Sequence, residues 1–366
     1  MLSTDFLARI GQFELRVAFQ AQREILAVVG PSGAGKSLTL QCLAGLFRPL
    51  DGSISLNGRL FFDSEKGIHV PARQRRIGYV VQSYALFPHL NVAQNLAFGL
   101  AGLPRDMVRR RVADLVEMLG LAGLEDRRPN ELSGGQQQRV AIGRALAIEP
   151  DLLLLDEPFS ALDPVTKAGL TEDLLAIHQR LGLTVVLVTH DVYDAYSLSK
   201  RMLVLDQGRV LQSGPKEEVF HRPVDATVAR LTGIRNLFAG RVAGSGRDGL
   251  TVDAGGIRLM APAGPFGPGD ELLCCVRPED VTLVRPDRDR GMATGETRLA
   301  GRVVRELDHG IVHTLFFRLD DQRLTPERDY DLEIRLGGHT YRVLDVARQK
   351  QWTIALKQPA LHLLRL

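Results

Sequence analysis

Cysteine is scarce in this sequence, and no stretch of the chain is both long and apolar. Three cysteines occur among 366 residues, too few for a disulfide framework and without the spacing of a metal site. Such sparse usage is typical of a reducing compartment. No apolar run approaches the roughly 20 residues that cross a bilayer, and the first residues lack the basic and apolar regions of a secretory signal. We therefore expect a cytoplasmic protein that reaches a membrane only through a partner.

The sequence also lacks an excess of charge of either sign. Its 46 lysines and arginines stand against 43 aspartates and glutamates, which gives a net charge of +3. This balance argues against binding along a nucleic acid, so no nucleic-acid partner is expected. With 45% hydrophobic and 24% charged residues, the composition is typical of a globular protein, and the length suits two or three domains.

One glycine-rich stretch dominates the first half of the chain. Residues 30–37 read Gly-Pro-Ser-Gly-Ala-Gly-Lys-Ser, which matches the G-x-x-x-x-G-K-S pattern of a phosphate loop without a mismatch. An apolar run at 25–29 predicts a buried strand before this phosphate loop, and residues 37–46 predict a helix after it. Glycines let backbone N–H groups converge on a phosphate, and a helix N-terminus adds partial positive charge. The predicted nucleotide contacts are Gly30, Pro31, Ser32, Gly33, Ala34, Gly35, Lys36, Ser37 and Leu38.

Individual side chains near this loop have separate predicted roles. Lys36 would reach the β- and γ-phosphates, and the hydroxyl of Ser37 would bind Mg²⁺. An aromatic ring could stack on the nucleotide base, and Phe13 is the candidate. Phe13 also begins an alternating strand at residues 13–19, so an ordinary place in the core fits it at least as well.

Polar residues follow three further runs of apolar residues that are typical of buried strands. An amide at Gln82 could bind Mg²⁺ or hold a water, or it could be an ordinary polar residue at a strand end. Asp156 follows four leucines and could hold Mg²⁺ through water, and Glu157 could polarise the attacking water. His190 stands at the carboxyl end of a strand, where α/β folds bind ligands, and could contact the γ-phosphate.

A second segment also suits an anion. Residues 132–136 read Leu-Ser-Gly-Gly-Gln and are called the signature segment below. Ser133 is placed to cap a helix that runs to Pro150, and the glycines expose N–H groups at the helix start. Asp163, directly before Pro164, is a further helix cap. Alone, Ser-Gly-Gly indicates only a turn, but beside a phosphate loop it predicts a second phosphate contact.

Together these motifs closely resemble the ATPase subunit of ABC transporters, over about residues 1–235. The resemblance implies an α/β P-loop NTPase domain with a RecA-like core and a helical subdomain at about 83–150, which binds ATP and Mg²⁺. It implies that Glu157 is the catalytic carboxylate. His190 would act beside it as the switch histidine, and Lys36 would be the third catalytic residue.

The same resemblance implies partners. Proteins of this family form head-to-tail homodimers with two ATP molecules at the interface, so the signature segment of one copy would face the ATP held by the other. The cofactor-binding residues on that side would be Ser133, Gly134, Gly135 and Gln136. Asp163 would cross the interface beside the partner's phosphate loop. Integral-membrane permease subunits would dock beside the helical subdomain at the cytoplasmic face of the cell membrane, with Gln82 as the link, and a solute-binding protein would act indirectly.

Residues 236–366 have a different character. Glycine and β-branched residues in short alternating runs predict an all-β domain. Ala-Gly-Arg-Val occurs at 239–242 and again at 300–303, which suggests two similar halves that form interlocked OB-like barrels. The pattern resembles the TOBE/Mop-type regulatory domain of ATPases that serve binding-protein-dependent importers. Molybdate-binding domains of this kind carry Ser-Ala where this chain has Gly233-Ile234, which argues against direct oxyanion binding here.

The transported solute is indicated only by resemblance. Segments 62–64, 67–71 and 75–80 look like those of molybdate importer ATPases and of their sulfate and ferric-iron relatives. Molybdate or a related inorganic oxyanion is therefore the expected solute, with sulfate, ferric iron, polyamine or sugar as alternatives. A non-transport P-loop ATPase and a ligand-sensing regulator are alternatives of another class. A DNA-repair or chromosome-organising ATPase would need a long heptad segment, and the roughly 96 residues between the phosphate loop and the signature segment contain none.

Overall fold

The structure is a computed structural model that describes residues 1–246, 249–285 and 295–366. These residues form two compact units, Met1–Val219 and Phe220–Leu366. The predicted division after residue 235, into a nucleotide-binding domain and a β-barrel regulatory domain, rests on a change in sequence character and stays a prediction. No helix in the described part of the chain is long and apolar enough to cross a membrane.

The first unit is built around one eleven-stranded sheet. Its strands are β1 (Leu2–Ile10), β2 (Phe13–Ala21), β3 (Ile25–Val29), β4 (Asp51–Leu56), β5 (Arg59–Asp63), β6 (Ile68–His69), β7 (Ile77–Val80), β8 (Leu152–Asp156), β9 (Thr184–Thr189), β10 (Arg201–Asp206) and β11 (Arg209–Pro215). They lie in the order β6-β5-β4-β1-β2-β11-β10-β3-β9-β8-β7. Strands β1, β2, β4, β5 and β6 are an antiparallel extension of the sheet.

The other part of this sheet is a parallel core of β10, β3, β9, β8 and β7. Strands β3, β8 and β9 are buried along their whole length, as expected for continuous apolar runs in a parallel sheet. The register pairs Val29 with Thr189 and Asp156 with Val188. The carboxyl ends of these strands therefore lie side by side, and the polar residues that follow them meet at one edge of the sheet.

Seven helices of the described chain accompany this sheet. They are α1 (Lys36–Ala44), α2 (Val92–Ala97), α3 (Arg105–Met118), α4 (Gly134–Ala147), α5 (Pro164–Leu181), α6 (Val192–Leu198) and α7 (Lys216–His221), the last of which spans the division between the units. Helix α1 ends earlier than residue 46, because Gly45 takes a φ of 80° and caps it. Helices α2, α3 and α4 lie within the predicted helical subdomain at 83–150.

The second unit is mostly β-structure. Its elements are α8 (Ala226–Leu231), β12 (Asn236–Gly246), β13 (Gly249–Ala254), β14 (Ile257–Ala261), β15 (Glu271–Val276), β16 (Thr282–Val284), β17 (Glu296–Asp308), β18 (Val312–Leu319), β19 (Leu332–Gly337), α9 (Gly338–Val343), β20 (Gln351–Lys357) and β21 (His362–Arg365). The strands form two five-stranded sheets, in the orders β14-β13-β12-β15-β21 and β16-β20-β17-β18-β19.

The first half of this unit contains β12 to β16 and the second half contains β17 to β21, and each half gives one strand to the sheet of the other. Strand β16 of the first half pairs with β20, and β21 of the second half pairs with β15. The repeated Ala-Gly-Arg-Val lies in β12 and in β17, and in both strands the pairing register shifts directly after the valine of the repeat, at Val242 and Val303. Side chains of both sheets share one hydrophobic core. The unit is thus an all-β, OB-like domain with interlocked halves.

Candidate nucleotide-binding site

The phosphate loop joins the end of β3 to the start of α1. Gly35 takes a φ of 103°, which glycine adopts without strain, and this turn precedes Lys36. The Nζ atom of Lys36 donates to the carbonyl oxygens of Gly30 at 2.8 Å and Pro31 at 3.0 Å. Burial lowers the pKa of Lys36, and two nearby carboxylates oppose this shift. The ammonium group is therefore held within the loop that would cradle a phosphate.

Two of the residues predicted to hold Mg²⁺ are in direct contact. The Oγ atom of Ser37 donates to Oδ1 of Asp156 at 3.0 Å, and the hydroxyl of Tyr79 on β7 donates to Oδ2 at 3.3 Å. Burial raises the pKa of Asp156, and both hydrogen bonds oppose this shift. Nothing in the sequence singles out Tyr79. It is one residue of an apolar strand, and it lies 77 residues before Asp156 in the chain.

This set of oxygen atoms fits a hard divalent cation. Mg²⁺ takes oxygen ligands, usually one or two from the protein together with waters and phosphate oxygens. Gln82, the third predicted ligand, lines the same cleft as Ser37. Within the described ranges there is no cluster of three or more His, Cys, Asp or Glu side chains that could hold a metal. Ser37, Gln82 and Asp156 are the residues that would hold Mg²⁺ beside a bound nucleotide.

Glu157 and His190 meet at the same edge of the sheet. The Nδ1 atom of His190 lies 2.8 Å from Oε2 of Glu157. Glu157 takes a φ of 47°, which is uncommon for a residue other than glycine, and its N–H donates to the carbonyl of Val188 at 3.0 Å. The side chain of Glu157 is 13% exposed and that of His190 is 63% exposed. The carboxylate is therefore shielded, and the imidazole faces solvent.

Most of the predicted nucleotide contacts line one cleft of about 610 Å³. Its lining residues are Ile10, Phe13, Ser32, Gly33, Gly35, Lys36, Ser37, Leu38, Gln82, Glu157 and His190. Gly30, Pro31 and Ala34 belong to the loop but not to this lining. Phe13 lies against the loop, since a Cβ on Gly35 would come within 3.3 Å of its ring, and it also borders a cavity of about 1130 Å³ beside the same loop. A base could reach Phe13 there, and its stacking role stays a prediction.

The signature segment leads into α4 and does not line this cleft. The Oγ atom of Ser133 accepts from the N–H of Gln136 at 3.3 Å, and Oε1 of Gln136 accepts from the N–H of Ser133 at 2.9 Å. This reciprocal cap fixes the helix start at Gly134. A Cβ on Gly135 would lie 2.4 Å from the methyl group of Thr166, so any larger residue would displace Thr166. The segment presents a helix N-terminus of the kind that binds phosphate.

Asp163 caps α5 next to the signature segment. Its Oδ1 atom accepts from the N–H groups of Val165 and Thr166, both at 3.1 Å. Hydrogen bonds from the side chain and the backbone of Thr166 hold the pKa of Asp163 below its usual range. Because Thr166 also packs on Gly135, Asp163 and the signature segment form a second group of predicted residues, and the cleft is lined by none of them.

A buried arginine supports the phosphate-loop helix and was not singled out by the sequence. Arg75 is fully buried, and its guanidinium donates to the carbonyl oxygens of Cys42 at 2.9 Å, Leu43 at 2.7 Å and Val70 at 2.8 Å. Burial lowers its pKa to about 10. Two of these carbonyls belong to the last turn of α1, where a cation is favourable. The sequence shows only a basic loop, in which Arg75 looks like its exposed neighbours.

Comparison with known proteins agrees with this geometry. The family pattern described as "ABC transporter" matches residues 16–160. The chain is 41% identical over 275 residues to a spermidine/putrescine import ATP-binding protein, PotA, of Marinobacter nauticus, which covers 74% of this chain and 72% of that protein. It is 40% identical over 276 residues to the molybdate/tungstate import ATP-binding protein WtpC of Thermococcus kodakarensis (74% and 79%). It is 41% identical over 292 residues to the sulfate/thiosulfate import ATP-binding protein CysA 1 of Agrobacterium fabrum (78% and 80%).

A solved structure shows the same fold. The dimeric, post-hydrolysis structure of the ATP-binding cassette MJ0796 bound to ADP and Pi matches with a TM-score of 0.50 at 31% identity, and covers 59% of this chain and 99% of that chain. The α/β P-loop fold predicted from the motifs is confirmed. The chain belongs to the ABC transporter family and is the ATP-binding, ATP-hydrolysing subunit of an importer.

Proposed function

We propose that two copies of this chain form a head-to-tail homodimer that closes on two ATP molecules. The observation that carries this proposal is the separation of the predicted contacts into two groups within one chain. The phosphate loop, Glu157 and His190 share a cleft that is not lined by the signature segment or by Asp163. In a dimer, the signature segment of one copy would complete the cleft of the other. The dimeric state of the solved relative MJ0796 supports this arrangement.

In the closed site, each residue has a defined task. Lys36 would leave the loop carbonyls and compensate charge on the β- and γ-phosphates. Glu157 would accept a proton from the attacking water as the general base, and His190 would hold that carboxylate in place. Mg²⁺, when bound, would neutralise phosphate charge. The phosphate loop of one copy and the signature segment of the other would close only when a γ-phosphate bridges them, so hydrolysis would open the dimer.

Substitution of Ser133 tests whether the signature segment is needed for dimerisation, without changing the cleft of the same chain. Ser133→Arg should abolish ATP-dependent dimerisation, measured by light scattering with Glu157→Gln as the background, while nucleotide binding to the monomer persists. Asn91→Arg is the matched control, because Asn91 and Gln94 form the same reciprocal cap on α2. If Ser133→Arg dimerises like the control, the signature segment does not face a partner's ATP.

Transport requires further partners, which we propose from the family and from one surface of the helical region. Permease subunits would dock beside the residues at 83–150, at the cytoplasmic face of the membrane, and a solute-binding protein would deliver the solute. A cavity of about 640 Å³ there is lined in part by Leu103 and Met107, which are large exposed hydrophobic residues. The guanidinium of Arg144 on α4 donates to the carbonyl oxygens of Tyr84 at 2.9 Å and Ala85 at 2.7 Å, two and three residues after Gln82. Gln82 would link this surface to the cleft.

For the solute, we propose an inorganic oxyanion, with molybdate first. Support comes from the resemblance of the segments at 62–80 and from relatives named for molybdate/tungstate and sulfate/thiosulfate import. A polyamine is the second candidate, because a relative named for spermidine/putrescine import is equally similar. Uptake of labelled molybdate, sulfate and spermidine into vesicles that contain the complete transporter tests this. Uptake of molybdate alone is expected, and uptake of spermidine alone would overturn the oxyanion assignment.

For residues 236–366 we propose a regulatory role. The test is the ATPase rate of the purified complex with its permease while molybdate, tungstate, sulfate or ferric ion is added on the cytoplasmic side. Selective inhibition by one of them would support a sensing domain. No response would reduce the domain to a structural or docking module, and failure to co-purify with any permease would favour the non-transport regulator instead.

A further inference from the structure

A lysine outside the predicted site joins the helix that follows Asp163 to the helix that follows His190. Lys167 lies one turn into α5, and its Nζ atom is 2.6 Å from Oδ2 of Asp194 and 3.0 Å from Oδ2 of Asp191. The lysine side chain is 26% exposed, so both ion pairs are partly shielded from solvent and from salt.

Asp191 directly follows His190 and shapes the backbone at that point. Its Oδ1 atom accepts from two N–H groups of the first turn of α6, at 2.9 Å and 3.3 Å. Its Oδ2 atom faces Lys167. One carboxylate thus fixes the helix start with one oxygen and the neighbouring helix α5 with the other. A displacement of Asp191 would turn the preceding peptide and move His190 relative to Glu157.

The charges make this contact necessary rather than incidental. Asp191 and Asp194 stand on one turn and face the same ammonium group, with Asp194 only 14% exposed. Burial raises the pKa of Asp194, and the charge of Asp191 adds to the shift, while Lys167 and His190 oppose it. Without the lysine, two partly buried carboxylates would repel each other, and relief would require proton uptake or separation.

The first turn of α5 therefore contacts both groups of predicted site residues. Thr166 packs on Gly135 of the signature segment, and the next residue, Lys167, holds the aspartates behind His190. We propose that Lys167 is a positioning residue for ATP hydrolysis, which keeps His190 on Glu157 by anchoring Asp191. The proposal rests on the roles proposed above for Glu157 and His190.

Substitution of the lysine tests this in the full-length chain. Lys167→Met should lower kcat by about tenfold or more, as expected when a catalytic pair is misplaced, with KM for ATP within about twofold of wild type. Lys167→Arg should keep at least half of the wild-type kcat, because arginine can reach both carboxylates. Lys66→Met is the matched control, since it removes another Lys–Asp pair, with Asp63 at 3.1 Å, away from the cleft.

A second variant separates positioning from general loss of structure. Adding Asp194→Asn to Lys167→Met removes the repulsion between the carboxylates of Asp191 and Asp194. The double variant should recover part of the lost kcat, even if Lys167→Met alone has a lower melting temperature than wild type. The proposal is overturned if Lys167→Met keeps the wild-type kcat, or if neither Lys167→Arg nor the double variant recovers activity. Failure of the proposed function looks different, because wild type would then hydrolyse no ATP or Glu157→Gln would stay fully active.

Discussion

The Nδ1 atom of His190 lies 2.8 Å from Oε2 of Glu157, although the two residues come from different strands. They meet because β8 and β9 are parallel neighbours in a register that pairs Asp156 with Val188. The residues that follow these two strands are therefore brought to the same edge of the sheet. This contact holds the carboxylate that we propose as the general base.

Removal of the imidazole should slow hydrolysis while sparing ATP binding. In His190→Ala the Glu157 carboxylate loses its partner and no longer has a fixed position, so kcat should fall by about tenfold or more, in the range of acid–base contributions. KM for ATP should change little. Steady-state phosphate release measures both, with His309→Ala on the second unit as control. A His190→Ala variant with wild-type kcat would show that Glu157 works without this contact.

Tyr79 should support Mg²⁺ use through Asp156. In Tyr79→Phe the Oδ2 atom of Asp156 loses its hydrogen bond. A hydrogen bond to a charged group contributes up to about 3 kcal/mol. The Mg²⁺ concentration for half-maximal ATPase activity should therefore rise severalfold. Tyr341→Phe is the control, since it removes a similar bond to Glu306 in the second unit. Equal Mg²⁺ dependence of the two variants would remove Tyr79 from this role.

Arg75 should matter for stability. Arg75→Met removes the guanidinium that donates to the carbonyl oxygens of Leu43 and Val70, whereas the carbonyl of Cys42 keeps the N–H of Gly45. At about 1–3 kcal/mol for each unsatisfied group, the free energy of unfolding should fall by about 2 kcal/mol or more. Arg75→Lys should also be destabilised, because one ammonium cannot reproduce the guanidinium fork. Urea unfolding measures the loss against Arg73→Met, an exposed neighbour. A change below about 1 kcal/mol in Arg75→Met would contradict this.

Acid should destabilise the second unit partly through His362. Burial lowers the pKa of His362, whose Nε2 atom contacts the carbonyl oxygen of Pro223 at 2.8 Å. The folded state then takes up a proton less readily than the unfolded state. The contribution of His362 to the free energy of unfolding is therefore fully present above the pKa that this histidine has in the unfolded chain. It is lost as the pH falls below that value, by at most about 1.4 kcal/mol per pH unit.

Thermal melting between pH 8 and pH 5.5 tests this direction. The melting temperature of His362→Gln should fall less over this range than that of wild type, whereas His339→Gln, an exposed histidine, should follow wild type. A wild-type curve parallel to that of His362→Gln would show that this histidine does not contribute to the pH dependence.

The sequence alone places the residues of the cleft at one edge of a sheet, because they stand at the ends of apolar strands; their roles stay predictions. Lys36 and Ser37 follow β3, and Asp156 and Glu157 follow β8, so a parallel sheet suffices to bring them together. Tyr79, Arg75 and Lys167 were missed because their contacts join elements that are distant in sequence. No periodicity or motif distinguishes the arginine that is buried, or the lysine that pairs, from their neighbours on the same loop or helix.

The most direct test of the account is the ATPase rate of Glu157→Gln. The amide keeps the size of the side chain but cannot accept the proton of the attacking water. We expect ATP binding to be retained, turnover to fall by about a hundredfold or more, and the variant to accumulate as a dimer when ATP and Mg²⁺ are added. Hydrolysis at the wild-type rate would remove Glu157 as the general base and with it the central claim of this mechanism.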